Sequence, residues 1–96
     1  MKRDVVLRIL SNHRNELSRF KVKSLAIFGS VARDEARADS DVDVLVEFSE
    51  AVGIFEFVDL KEYLESILGA TVDLATEQAL KKQLRDQILK EAIHAA

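Results

Sequence analysis

Three groups of residues in this chain have types and spacings suited to chemistry. The first is Gly29-Ser30, which follows a short apolar run and opens a helix-like stretch. A helix N-terminus exposes unpaired backbone N–H groups and the positive end of a dipole, which suits an anionic phosphate. Glycine lets the backbone approach closely, and the serine hydroxyl adds a donor. By itself the pair reads equally as a tight turn with Ser30 as helix cap. Residue 33 is Arg, so no capping box accompanies it. No Gly-Lys-Ser/Thr exists, so this is not a Walker loop.

The second group is Asp41-Val42-Asp43. Residues two apart on a strand share a face, roughly 6.5–7 Å apart along the chain. Two carboxylates so placed can converge on hard cations, and Mg²⁺ favours a couple of carboxylates plus substrate phosphates. A solvent-facing polar edge explains the pair as well, and Glu47 falls on the same face. Asp is nevertheless disfavoured in strands. The third is Asp73 in Thr-Val-Asp-Leu-Ala, again an aspartate within a short apolar run. If its strand lies beside 41–48, the three acids form one cluster. Repulsion would then raise at least one pKa unless a cation neutralises them. Alone, Asp73 is a fair strand-edge surface residue.

The elements that must position these groups follow from hydrophobic periodicity. Val5, Val6, Ile9, Leu10, His13 and Leu17 predict one amphipathic helix over 3–19. Ser24 to Phe28 reads as a buried strand and Ser30 to Ala36 as a short helix. Asp41 to Phe48 alternates, with Val42, Val44, Val46 and Phe48 on one face. Phe57, Leu60, Leu64, Ile67 and Leu68 mark a long helix stopped by Gly69. Thr71 to Ala75 reads as a third strand. Thr76 caps a last helix running through Leu80, Leu84, Ile88, Leu89 and Ile93. The expected fold is α+β, an α/β sandwich with a small mixed sheet of about three strands and about four helices. His13 is expected to pack on the apolar side of its helix. No second histidine or spaced carboxylate makes a zinc site of it or of His94.

Composition sets the outer limits. The 96 residues carry 14 basic and 17 acidic side chains, 48% hydrophobic residues and no cysteine. That is one globular domain, 1–96, without disulfides, thiolate metal sites or a cysteine nucleophile. Residues 1–23 carry a net charge of +5, residues 24–80 of −10 and residues 81–96 of +2. The acidic middle argues against nucleic-acid binding there and is compatible with divalent cations. Asp4 and Arg8 interrupt what would be the apolar core of an export signal, and no run is long enough to span a membrane. The expected location is cytoplasmic. A chain this short leaves no room for a separate substrate domain, so a partner or a second copy is expected to complete the substrate pocket.

The spacing joins the three groups. Gly29-Ser30, ten residues, Asp41, one residue, Asp43 and a later strand aspartate resemble the nucleotidyltransferase superfamily related to DNA polymerase β. The length, Ala32-Arg33, Ser40-Asp41, Val72-Asp73-Leu74 and the segment Leu84 to Ala92 resemble its minimal nucleotidyltransferases, antitoxin-like proteins paired with a HEPN-domain ribonuclease toxin. The resemblance covers almost the whole chain and implies the nucleotidyltransferase fold. It also implies that Gly29 and Ser30 hold the triphosphate of ATP and that Asp41 and Asp43 bind two Mg²⁺ ions. Asp73 would complete this metal cluster and orient or deprotonate the attacking hydroxyl. Arg33 is expected either at a phosphate or in solvent. The implied activity is protein adenylyltransfer: AMP passes to a hydroxyl of the HEPN toxin, often a tyrosine, and pyrophosphate leaves. One departure is Asp34, where the family commonly has glycine; an extra acid there would weaken nucleotide binding. Two other readings compete: an antitoxin that neutralises its partner by binding alone, and a small-molecule or RNA nucleotidyltransferase. The partners expected are a HEPN toxin and ATP, with no membrane and no direct nucleic acid, in a homo- or hetero-oligomer.

Overall fold

The computed structural model describes residues 1–96. The helical pattern at the start forms two helices, α1 (Arg3–Asn12) and α2 (Arg14–Ser18). The expected single helix over 3–19 breaks at His13. There the backbone N–H turns to the Leu10 carbonyl at 3.2 Å, while the ring Nδ1 donates to the Ile9 carbonyl at 2.7 Å. The ring has taken the acceptor that the amide would use to continue the helix. It also meets the Tyr63 ring edge-on, so His13 is packed as expected.

Strand β1 (Val22–Phe28) passes directly into α3 (Gly29–Ala32). The expected helix over 30–36 stops early because Asp34 adopts φ 59°, the left-handed region that ends a helix. Strand β2 (Val42–Phe48) follows, then α4 (Ile54–Leu68) and β3 (Val72–Ala75). Gly69 terminates α4 with φ 65°, as its position in the sequence predicts. The end of the chain departs most from expectation. Thr76 caps no long helix: a 3₁₀ turn covers Glu77–Ala79, and α5 begins only at Lys82 and ends at Glu91. Ile93–His94 then form β4 against β1. Four strands and five α-helices therefore replace the expected three and four.

The sheet order is β3-β2-β1-β4. β1 is antiparallel to both neighbours, whereas β2 and β3 are parallel and joined by the α4 crossover. All 16 buried residues are apolar and make one core. Val6, Leu10 and Leu17 of the first helices and Leu60, Leu64 and Leu68 of α4 close over Leu25, Ile27, Val42, Val44, Val46, Val72 and Leu74. Period-two alternation sends every second strand residue to the other face. That face carries Ala26, Phe28, Asp43, Leu45, Asp73 and Ala75, and α5 packs beside it on α3 and β1. No helix is long and apolar enough to cross a membrane.

Candidate active site

The register of the sheet assembles the site. Phe28 pairs with Asp43 across β1 and β2, and Asp43 pairs with Asp73 across β2 and β3. Asp43 and Asp73 thus stand side by side on the face not covered by α1 and α4. Gly29, immediately after Phe28, takes φ 68°. A Cβ on Gly29 would collide with the Asp43 carboxylate, its Cγ lying only 3.0 Å away. Glycine is needed there both for the backbone angle and for this close approach. The turn at Gly29 and the acidic strand are therefore contiguous.

Ser30 lies within the first turn of α3 and not at its cap, which is Phe28; no side chain caps this helix. The cap explanation of Ser30 is thus removed. Arg33 ends α3 and is held by two carboxylates, with Nη1 3.2 Å from Glu91 and Nε 3.4 Å from Glu35. It stays near enough to favour the charged form of Asp43. Asp34 is turned to a different task. Its Oδ1 accepts the Arg3 backbone N–H at 3.1 Å, satisfying one of the free amides at the start of α1. The carboxylate expected to burden the phosphate site is engaged with a helix terminus.

Burial, first, and the carboxylates of Asp73 and Asp41, second, raise Asp43 to about 6. Asp41 precedes β2, is exposed and acts on Asp43 through its charge. The structure brings Asp43 and Asp73 together and leaves Asp41 at the rim. No three His, Cys, Asp or Glu side chains stand close enough to hold a metal ion by themselves. Two adjacent, mutually repelling carboxylates nevertheless fit a hard cation that keeps waters and takes substrate phosphates as further ligands.

Sequence reading missed the wall that α5 contributes. A cavity of about 220 Å³ lies between α3 and α5, lined by Phe28, Gly29 and Arg33 on one side and Leu84, Gln87, Ile88 and Glu91 on the other. The α5 residues fall at helical one-face spacing, the signal that marks them in the sequence.

Residues 10–94 match the family model described as nucleotidyltransferase domain. The chain belongs to the nucleotidyltransferase domain family. Among its relatives is the protein adenylyltransferase MntA of Thermococcus cleftensis, 44% identical over 87 residues, spanning 90% of this chain and 88% of that protein. A solved structure described as a minimal nucleotidyltransferase superposes with a TM-score of 0.82 at 39% identity, covering 97% of this chain and 95% of that one. The chain is thus a minimal nucleotidyltransferase. The same fold, at 18% identity and a TM-score of 0.59, occurs in a complex of the tri-AMPylated Shewanella oneidensis HEPN toxin with MNT antitoxin, with 91% of this chain and 71% of that one covered.

Proposed function

We propose that this nucleotidyltransferase is the antitoxin of a toxin–antitoxin pair and transfers AMP from ATP to a hydroxyl of a HEPN-domain toxin. The observation that carries this reading is the contact of Asp43 with Gly29 on one side and its register with Asp73 on the other. A nucleotide held at Gly29 would have its phosphates against the two acids. The name of the MntA relative and the AMPylated toxin bound to the fold neighbour support the acceptor class.

In this reading the backbone at Gly29 and the Ser30 hydroxyl hold the triphosphate, and Arg33 reaches it by exchanging Glu91 or Glu35 for phosphate oxygens. Asp41 and Asp43, with Asp73, are the residues that would hold Mg²⁺, which supplies positive charge against the phosphates when bound. Asp73 orients the acceptor hydroxyl and takes its proton. The acceptor oxygen attacks the α-phosphorus in line, the bond to the β-phosphate oxygen breaks, and pyrophosphate leaves.

The test uses ATP labelled at the α-phosphate, Mg²⁺ and the protein encoded beside this one. Label on the partner, lost in Asp43→Asn and Asp73→Asn, is the expected result. A tight, neutralising complex without label would replace this reading with the binding-only antitoxin. Label on an aminoglycoside or an RNA 3′ end, without any partner, would replace it with a small-molecule or RNA transferase.

A further inference from the structure

We infer that the cavity between α3 and α5 receives the base of the nucleotide and that Gln87 selects adenine there; this rests on the nucleotide reading of the Gly29 site. The cavity shares Gly29 and Arg33 with the proposed phosphate site, so a ligand anchored by its phosphates at Gly29 has its remaining portion beside α5. Its volume of about 220 Å³ is one two-ring base in size, since an apolar cavity of about 150 Å³ accommodates a benzene ring.

The walls match the two aspects of a base. Phe28, Leu84 and Ile88 offer apolar surface for a flat ring. Leu84 is 48% exposed, on a ten-residue helix with no buried residue of its own. A base lying on it removes that surface from water. Glu91 and Arg33, paired at 3.2 Å, both line this cavity.

Gln87 is the only uncharged polar side chain in this lining. Its amide offers one acceptor and one donor group side by side. That pattern fits the adenine N6 amine and N7, the pairing by which Asn and Gln recognise adenine. Guanine presents two acceptors on the same edge and leaves the amide oxygen unpaired. The chemical class selected is a purine nucleotide with an exocyclic amine at position 6.

The experiment measures equilibrium binding of ATP, GTP and inorganic tripolyphosphate, with Ca²⁺ as a non-turnover cation. Three proteins are compared: the native chain, Gln87→Ala and Leu84→Asn. Both substituted positions are exposed on α5, so the fold is retained, which circular dichroism verifies. The expected native order is ATP above GTP, and ATP above tripolyphosphate. Gln87→Ala is expected to reduce the ATP-over-GTP ratio about five- to tenfold, the lower end for one bidentate amide pair. Leu84→Asn is expected to reduce the advantage of ATP over tripolyphosphate and leave tripolyphosphate itself unaffected. An unchanged ATP-over-GTP ratio in Gln87→Ala, or ATP binding no better than tripolyphosphate, overturns the base site while leaving the phosphate reading intact. Failure of both ATP and tripolyphosphate to bind the native chain overturns both.

Discussion

Gly29 answers to two constraints at once, a left-handed backbone and the press of the Asp43 carboxylate. Gly29→Ala meets both. The backbone strain alone costs about 1–3 kcal/mol, and the added Cβ also displaces Asp43 from its place beside Asp73. Thermal melting is expected to show a moderate loss of stability, and the transfer assay a loss much larger than that stability loss explains. Asp43 itself is a destabilising residue when no cation is present. Its folded-state pKa of about 6 lies above the ordinary 3.8, so the folded chain keeps a proton that the unfolded chain has lost. Between those two values stability falls as pH rises, and above them the penalty is complete. Asp43→Asn is therefore expected to melt higher than the native chain at pH 7.5 without Mg²⁺. The gain is about 1 kcal/mol once solvent screening of a partly exposed carboxyl is allowed for, or several degrees in Tm. The gap is expected to close as pH falls towards 4. Mg²⁺ is expected to narrow it at pH 7.5 by stabilising the native chain alone. A variant no more stable than the native chain at pH 7.5 would contradict the repulsive cluster.

Among the elements, β3 brings Asp73 to Asp43, and its start is fixed from α4. The Glu65 carboxylate accepts the Val72 backbone N–H at 2.9 Å and pairs with Lys61 at 3.1 Å. These two partners, the amide first, hold its pKa below the usual carboxylate value. A depressed carboxylate contributes stability above its unfolded pKa, and that contribution is lost as pH falls through the folded one. Glu65→Ala is expected to lower Tm at pH 7, with the deficit shrinking in acid as the native chain loses the same contribution. A deficit that persists undiminished in acid would mean that the Glu65 charge plays no part. Such long-range anchors lie outside local pattern, and the legibility of this fold follows that line. The alternation of Val42, Val44 and Val46 and the stop at Gly69 are local signals, and both hold. Of the residues that the spacing joins, the sheet brings Gly29, Asp43 and Asp73 together and leaves Asp41, just before β2, at the rim; register alone makes Asp73 the neighbour of Asp43. The break at His13 depends on a ring competing for one carbonyl, which periodicity does not register. Periodicity predicts a longer last helix than α5 because Ile93 fits its apolar stripe. In the folded chain Ile93 finds the free edge of β1 instead. The sequence places Arg33 at a phosphate or in solvent and does not show its pairing with Glu91, which lies far along the sequence and reaches it only after α5 has packed on α3.

At the scale of the whole molecule, the last residues close the sheet. Ala26 pairs with His94 and Ile27 with Ile93. Leu25 donates its N–H to the Ala96 carbonyl at 2.8 Å and accepts the Ala95 N–H at 2.8 Å, and Ala95 is itself buried in the core. This pairing does two things. It covers the β1 edge, which would otherwise offer unpaired amides and carbonyls to another chain. It also ties the end of α5 to the sheet, so that Glu91 stays on Arg33 and the cavity keeps its second wall. Removing residues 93–96 therefore has a double consequence. Each backbone bond is worth about 0.5–1.5 kcal/mol net, so the loss of this set is expected to lower stability by roughly 2–4 kcal/mol in denaturant titration. The bared β1 edge is expected to cause concentration-dependent association, read by light scattering. Nucleotide affinity is expected to weaken more for ATP than for tripolyphosphate, because α5 walls the base cavity while Gly29 is held at the start of α3, directly after β1. Equal weakening of the two ligands would mean that the end of the chain supports the phosphate turn directly. No change in either would mean that α5 holds its place through its packing on α3 and β1 alone.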